Sequence, residues 1–157
     1  MPSPLEVYSA YQQRLQSQDY AHLGEVVDLQ GYTENCLGLT GWTTGFTVAL
    51  QNWAKNILAA FTDLQFETKD AFEGPDTLAI RSRPEGTHSG TFLGIPATGR
   101  RIAWDAVFLV HFNDGRMVGQ WIQSDLWGIH EQLTAASPQP PTTVAADPPR
   151  EWAHSAR

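Results

Sequence analysis

The apolar positions divide the chain into a helical first part and an alternating second part. Ser3, Pro4 and Glu6 open a helix: serine suits the N-cap, proline the first helical position, and Glu6 completes a capping box. Leu5, Tyr8, Tyr11 and Leu15 then recur at helical spacing and form one apolar face. A shorter helix is predicted over about Tyr20 to Asp28, with Leu23, Val26 and Val27 inward. Gly31 to Gly45 holds four glycines without a period and reads as a loop. A third helix is predicted from about Thr44 to Phe61, with Phe46, Leu50, Trp53, Ile57 and Phe61 on one stripe.

Beyond Phe61 the period falls to two. Leu64 to Thr68 and Thr77 to Arg83 read as strands joined at Gly74-Pro75-Asp76, and Thr87 to Phe92 as a third. Gly94 to Gly99 is a loop, Ile102 to Phe112 a long β-rich run, and Asn113-Asp114-Gly115 a strong hairpin turn. Met117 to Ser124 returns as a strand, and a short helical segment follows through Leu133. The expected fold is α+β: a cone-shaped barrel of three N-terminal helices packed on a strongly curved antiparallel or mixed sheet. Five prolines and little periodicity follow from about Ala135. This predicts a domain over 1–134 and a flexible, Pro-rich tail over 135–157, with Trp152 and His154 in the tail rather than in a site.

Composition narrows the function. At 157 residues the chain is one domain's worth, 41% hydrophobic and 17% charged, hence globular. A net charge of −7 argues against nucleic acid as partner, since phosphate contacts need clustered Lys and Arg. The single cysteine, Cys36, excludes an intramolecular disulfide and a multi-cysteine zinc site. No run approaches the ~18 apolar residues of a membrane span, and MPSPLEVY lacks the features of a signal peptide. A cytoplasmic protein is expected. Six Trp, seven Phe and four Tyr suit both a core and a pocket for flat, partly apolar ligands.

Alternation groups the candidate chemistry. Asp105, Val107, Leu109 and His111 share one side of the long strand, and Trp121, Gln123 and Asp125 share one side of the returning strand. Gln120, Ile122 and Ser124 point the other way. A carboxylate in an apolar hollow has its pKa pushed up and suits general acid/base work, and a histidine titrates in the same range. Asp125 stands at a strand-to-helix junction and fits an N-cap equally well. Asp105 can face solvent or pair with Arg101 or Arg83, and His88 can contact a ligand or be a satisfied strand histidine. Neither His88 nor His111 has short-spaced partner ligands, and no H-E-x-x-H, G-x-S-x-G, phosphate loop or dinucleotide fingerprint occurs.

The run from Gly86 to Leu133 resembles the SnoaL-like polyketide cyclases, within the nuclear transport factor two-like superfamily. Gly86 to Gly90, Gly94 to Gly99, Asp114 to Arg116, Trp121, Asp125, Gly128, Gln132 and Leu133 match the family pattern in order. The opening helix, a segment at Asp63 and one ending in Arg81 also fit, so the resemblance covers about residues 4 to 134. It departs at Ala97, usually proline, at Thr134, usually glycine, and at Gly119-Gln120, usually Glu-His. The resemblance implies a pocket and an intramolecular aldol closure of an aromatic polyketide intermediate, without metal or cofactor. By this likeness Asp125 is the general acid/base, His111 its assistant and Asn35 a ligand contact. His88, Gln123, Asp105 and Arg81 join them as candidate substrate contacts, and Trp42, Trp104 and Trp121 as candidates to sandwich a planar substrate. A homo-oligomer, dimer or tetramer, is expected. The competing expectations are a hydroxylation or isomerisation component, an epoxide hydrolase, and a ligand-binding or dimerisation module without catalysis.

Overall fold

The computed structural model describes residues 1–136, so all but the first two residues of the expected tail, Trp152 and His154 included, lie outside the described residues. Helix α1 (Pro4–Gln16) begins with the anticipated capping box: Ser3 Oγ accepts from Glu6 N–H, and the Glu6 carboxylate accepts from Ser3 N–H at 2.7 Å. The second predicted helix is instead one short 3-10 segment, Tyr20–Glu25. It is tied to α1 by the Arg14 guanidinium, which donates to His22 O at 2.7 Å and pairs with Glu25.

The stretch read as a loop contains two short strands, β1 (Thr33–Cys36) and β2 (Gly41–Thr44). Their sequences show no apolar alternation because their support is the sheet itself. β1 pairs in parallel with β7, a neighbour more than 80 positions away. Helix α2 (Phe46–Trp53) continues as a π-helical turn, Ala54–Leu58, and Phe61 opens a strand rather than closing the helix. The three N-terminal helices of the expectation thus become two α-helices and a 3-10 segment. A further helix, α3 (Leu126–Thr134), closes the described chain.

Strands β3 (Phe61–Glu73) and β4 (Thr77–His88) form a long hairpin through Gly74-Pro75-Asp76. The inward row of β4 is Leu78, Ile80, Ser82, Pro84, Gly86 and His88, all buried. It turns polar and small halfway along, which is why hydropathy splits one strand into two. β5 (Arg101–Ala103) and β6 (Ala106–Asn113) keep a common register on β4 but break opposite Pro84, which has no N–H to give the ladder. β7 (Arg116–Ser124) returns from the Asn-Asp-Gly turn. The sheet order is β2-β1-β7-β6-β4-β3, with β5 on β4. Every pairing but β1–β7 is antiparallel, and the sheet is open. Bulges near Asp63 and Lys69 in β3 and at the end of β6 bend it.

The concave face carries two core clusters. One joins Val7, Tyr8, Val27, Tyr32 and Phe46 to Leu78, Ile80, Val110 and Met117; the other joins Ile57, Phe61, Phe92, Trp104, Ile129 and Leu133. Among the described residues no helix is long and apolar enough to cross a membrane.

Candidate active site

A cleft of about 590 Å³ lies between the two clusters and takes its walls from both. The strands contribute their inward residues: Ala106 and Phe108 of β6, Gln120, Ile122 and Ser124 of β7, Glu34 and Cys36 of β1. Tyr8, Tyr11, Gln12 and Leu15 of α1 face them. The third wall is Phe46, Leu50, Asn52 and Trp53 of α2 with Asn56 and Ile57 of the π turn. Its rim is marked by exposed Gln16, Leu58 and Gln65.

Glu34 is the one charged side chain that lines this cleft among the described residues, and it is only 7% exposed. Parallel pairing sets Glu34 beside Gln120 across the β1–β7 ladder. Gln120 Nε2 and the Tyr32 hydroxyl each donate to Glu34 Oε2 at 3.2 Å. Both donors reach the same oxygen, and no described donor reaches Oε1. That approach of the two strands requires glycine at 119, because a Cβ there would collide with Thr33 O. The phenols around the carboxylate are held neutral. Burial pushes Tyr8 up to about 12. Burial, with Tyr8 and Glu34 adding, raises Tyr11. Burial, with Tyr11 and Glu34 adding, raises Tyr32 well above the usual phenol range. The Cys36 thiol is pushed up to about 11, by burial first and Glu34 second. The Tyr8 and Tyr11 hydroxyls can therefore donate to a developing oxyanion at neutral pH. On the helical wall Asn52 Nδ2 donates to Thr43 Oγ1 and Asn56 Nδ2 to Asn52 O, which fixes both carboxamides.

Of the residues singled out from sequence, Trp104 lines this cleft and the others fall elsewhere. Asp105, Val107, Leu109 and His111 do share a face with Trp121 and Gln123, but it is the convex one: the cleft takes Ala106, Phe108, Gln120, Ile122 and Ser124. Alternation paired the residues correctly and left the inner face undetermined, because β6 is apolar on both sides. Asp125 is exposed, and its Oδ1 accepts from Gly128 N–H at 2.9 Å as the cap of α3. His111 is exposed on β6. Asn35 is buried on the opposite side of β1 from Glu34. His88 is fully buried, its Nδ1 within 3.0 Å of Thr98 Oγ1 and accepting from Thr98 N–H. Of the three tryptophans only Trp104 reaches the cleft; Trp42 and Trp121 meet edge-on outside at 5.7 Å. Asp105, Arg81, Gln123 and Asp125 do come together around a second, open hollow on the convex side, where Arg81 also pairs with Asp70. Sequence reasoning missed Glu34, Tyr11, Trp53 and Gln120. The available signal for Glu34 was its place next to Asn35, and it needed β1 to be recognised as a strand.

The model of the SnoaL-like polyketide cyclase family matches residues 5–133. The chain belongs to this family. Solved structures agree. A SnoaL-like polyketide cyclase from Agrobacterium tumefaciens is 24% identical, with 85% of this chain and 99% of that one covered at a TM-score of 0.70. IdmH from Streptomyces antibioticus, described as a candidate polyketide cyclase, is 26% identical over 78% of this chain and 91% of its own, at 0.64. AclR from Streptomyces galilaeus, described as a candidate hydroxylase, is 22% identical over 81% and 92%, at 0.64. No curated protein matches the sequence significantly. Gly119 and Gln120, where the chain departs from the pattern of the resemblance, fall in the site, with Gln120 against Glu34.

Proposed function

We propose that this SnoaL-like chain closes a ring in a planar, carbonyl-rich polyketide intermediate by intramolecular aldol chemistry, with Glu34 as general base. The observation that carries this is a buried carboxylate, tied through one oxygen and reached by no described donor at the other, in an aromatic-walled cleft of about 590 Å³. Glu34 Oε1 removes a proton from the carbon beside a carbonyl. The enolate carbon attacks a second carbonyl of the same molecule, one C–C bond forms, and the new alkoxide takes a proton back from Glu34. Tyr8 and Tyr11 stabilise the oxyanions by donation, and the cleft holds the two carbons in contact. The deciding experiment is turnover of an aromatic polyketide substrate by Glu34→Gln. We expect a loss of about 10²- to 10⁴-fold with folding intact; full activity sinks the reading.

A second reading rests on the convex hollow, where Asp125, Asp105, Arg81 and Gln123 meet. There Asp125 would be the acid/base, as the family likeness implies. Asp125→Asn separates the two: it should leave turnover within about threefold if Glu34 is the base, because Asn caps a helix nearly as well as Asp. We further propose that the chain works as a homodimer.

A further inference from the structure

We propose that the cleft sorts ligands by charge: it accepts neutral and cationic aromatic molecules and rejects aromatic molecules that carry a free carboxylate. The inference rests on the same cleft as the proposed ring closure and specifies what can enter it. None of the described lysines or arginines lines the cleft. Arg14 is tied to His22 and Glu25, Arg101 to Glu85, Lys69 to Glu67, and Arg100 to carbonyls at the end of α3. Arg81 and Arg83 lie on the outward row of β4.

The remaining polar lining is neutral. Gln12, Asn52, Asn56 and Gln65 are carboxamides, and the phenols of Tyr8 and Tyr11 and the thiol of Cys36 are held in their protonated forms by burial. One charge therefore remains, Glu34, and its partners are a hydroxyl and a carboxamide rather than a cation. Among the described residues no cation offsets its field inside the cleft, and in low-dielectric surroundings such a field acts over the length of a bound ligand. A second anion enters against it. A cation entering beside it gains the missing ion pair, and the aromatic side chains of Tyr11, Phe46 and Trp53 line the same cleft. A cationic aromatic compound should consequently occupy the base and block the proposed reaction.

The test uses three probes of one shape: 2-naphthoate, methyl 2-naphthoate and 2-(aminomethyl)naphthalene, titrated at pH 7.5 by calorimetry and tryptophan fluorescence. We expect the ammonium probe to bind more tightly than the naphthoate by at least roughly tenfold, with the ester between them. In Glu34→Gln the ester should bind as before, and the spread between the charged probes should fall to about twofold or less. Asn56→Lys, which puts a cation on the helical wall, should move the preference toward naphthoate. Equal binding of the charged probes by the unmodified protein overturns the proposal. So does a spread that persists in Glu34→Gln, which would trace it to the net charge of the surface. Because these readouts require no turnover, charge sorting can stand if Glu34→Gln keeps full activity, and ring closure can stand if sorting fails.

Discussion

Asp125 follows β7 directly, with its carboxylate turned onto the first turn of α3, where it accepts from Gly128 N–H. Loss of an N-cap costs about 1 kcal/mol, whereas Asn at that position serves almost as well as Asp. Asp125→Ala should lower the melting temperature by about 4 °C in a domain of this size. Asp125→Asn should leave it unchanged, and calorimetry distinguishes the two. An inactive but fully stable Asp125→Asn would transfer the chemistry to the convex hollow. His88 makes a different prediction. Burial holds its pKa below the ordinary value of 6.5, with the Gly90 backbone opposing. Below about 6.5 the unfolded chain binds a proton that the folded chain refuses, so stability falls as the pH is lowered through that value and levels off only beneath the folded pKa. In His88→Asn the side-chain oxygen can still accept from Thr98 N–H, and no proton is taken up. Urea midpoints at pH 7.5 and 5.5 should therefore differ more for the unmodified protein than for the variant; equal shifts would remove His88 as the cause.

Elements became legible where their signals were local. The Ser3–Glu6 capping box fixed the start of α1 and Asn-Asp-Gly fixed the β6–β7 hairpin, because each encodes its geometry within four residues. β1 carries no such signal: it is four residues long and exists through its pairing with β7, so the catalytic candidate on it, Glu34, was passed over in favour of its neighbour Asn35. The inner face of β6 and β7 was equally hidden, since Val107 and Leu109 outside match Phe108 and Val110 inside in hydropathy. α3 shows what a distant partner adds. Arg100 donates from Nη1 to Gln132 O at 2.8 Å and Leu133 O at 3.2 Å, and from Nη2 to Ala135 O at 2.7 Å, satisfying carbonyls that a helix end leaves open. Gln132 then fastens the helix to Ala103 O at 2.8 Å. Hydrogen bonds from a charged donor contribute about 1.5–3 kcal/mol, so Arg100→Ala should destabilise by about that much. It should also raise hydrogen exchange across 126–134. Arg100→Lys should recover only part of the loss, because an ammonium cannot fork to three carbonyls as a guanidinium does. Because Leu126 and Ile129 line the cleft, Arg100→Ala should weaken methyl 2-naphthoate binding as well.

At the scale of the whole fold, the convex face is the surface that no described element covers. Strand register sets Phe72, Ala79, Leu109, Trp121, Asn35 and Trp42 in one row from β3 to β2. Four of these are large apolar side chains in solvent: Trp42 is 70% exposed, Phe72 56%, Leu109 43% and Trp121 37%. Val107 widens the row on one side. Contiguous apolar surface of this kind on a folded domain marks an association site. A two-fold partner placing the same row against it buries both at once, since such an interface is self-complementary. We therefore expect light scattering on the eluting protein to give twice the 17.4 kDa chain mass. Leu109→Arg, at the centre of the row, should reduce this to one chain while leaving the far-ultraviolet circular dichroism unchanged. The cleft opens on the other side of the sheet, so the monomeric variant should retain the charge preference for naphthalene probes. A monomeric unmodified protein at tens of micromolar would exclude the dimer. Loss of probe binding in Leu109→Arg would instead mean that association holds the sheet in the curvature on which Glu34 and Gln120 depend.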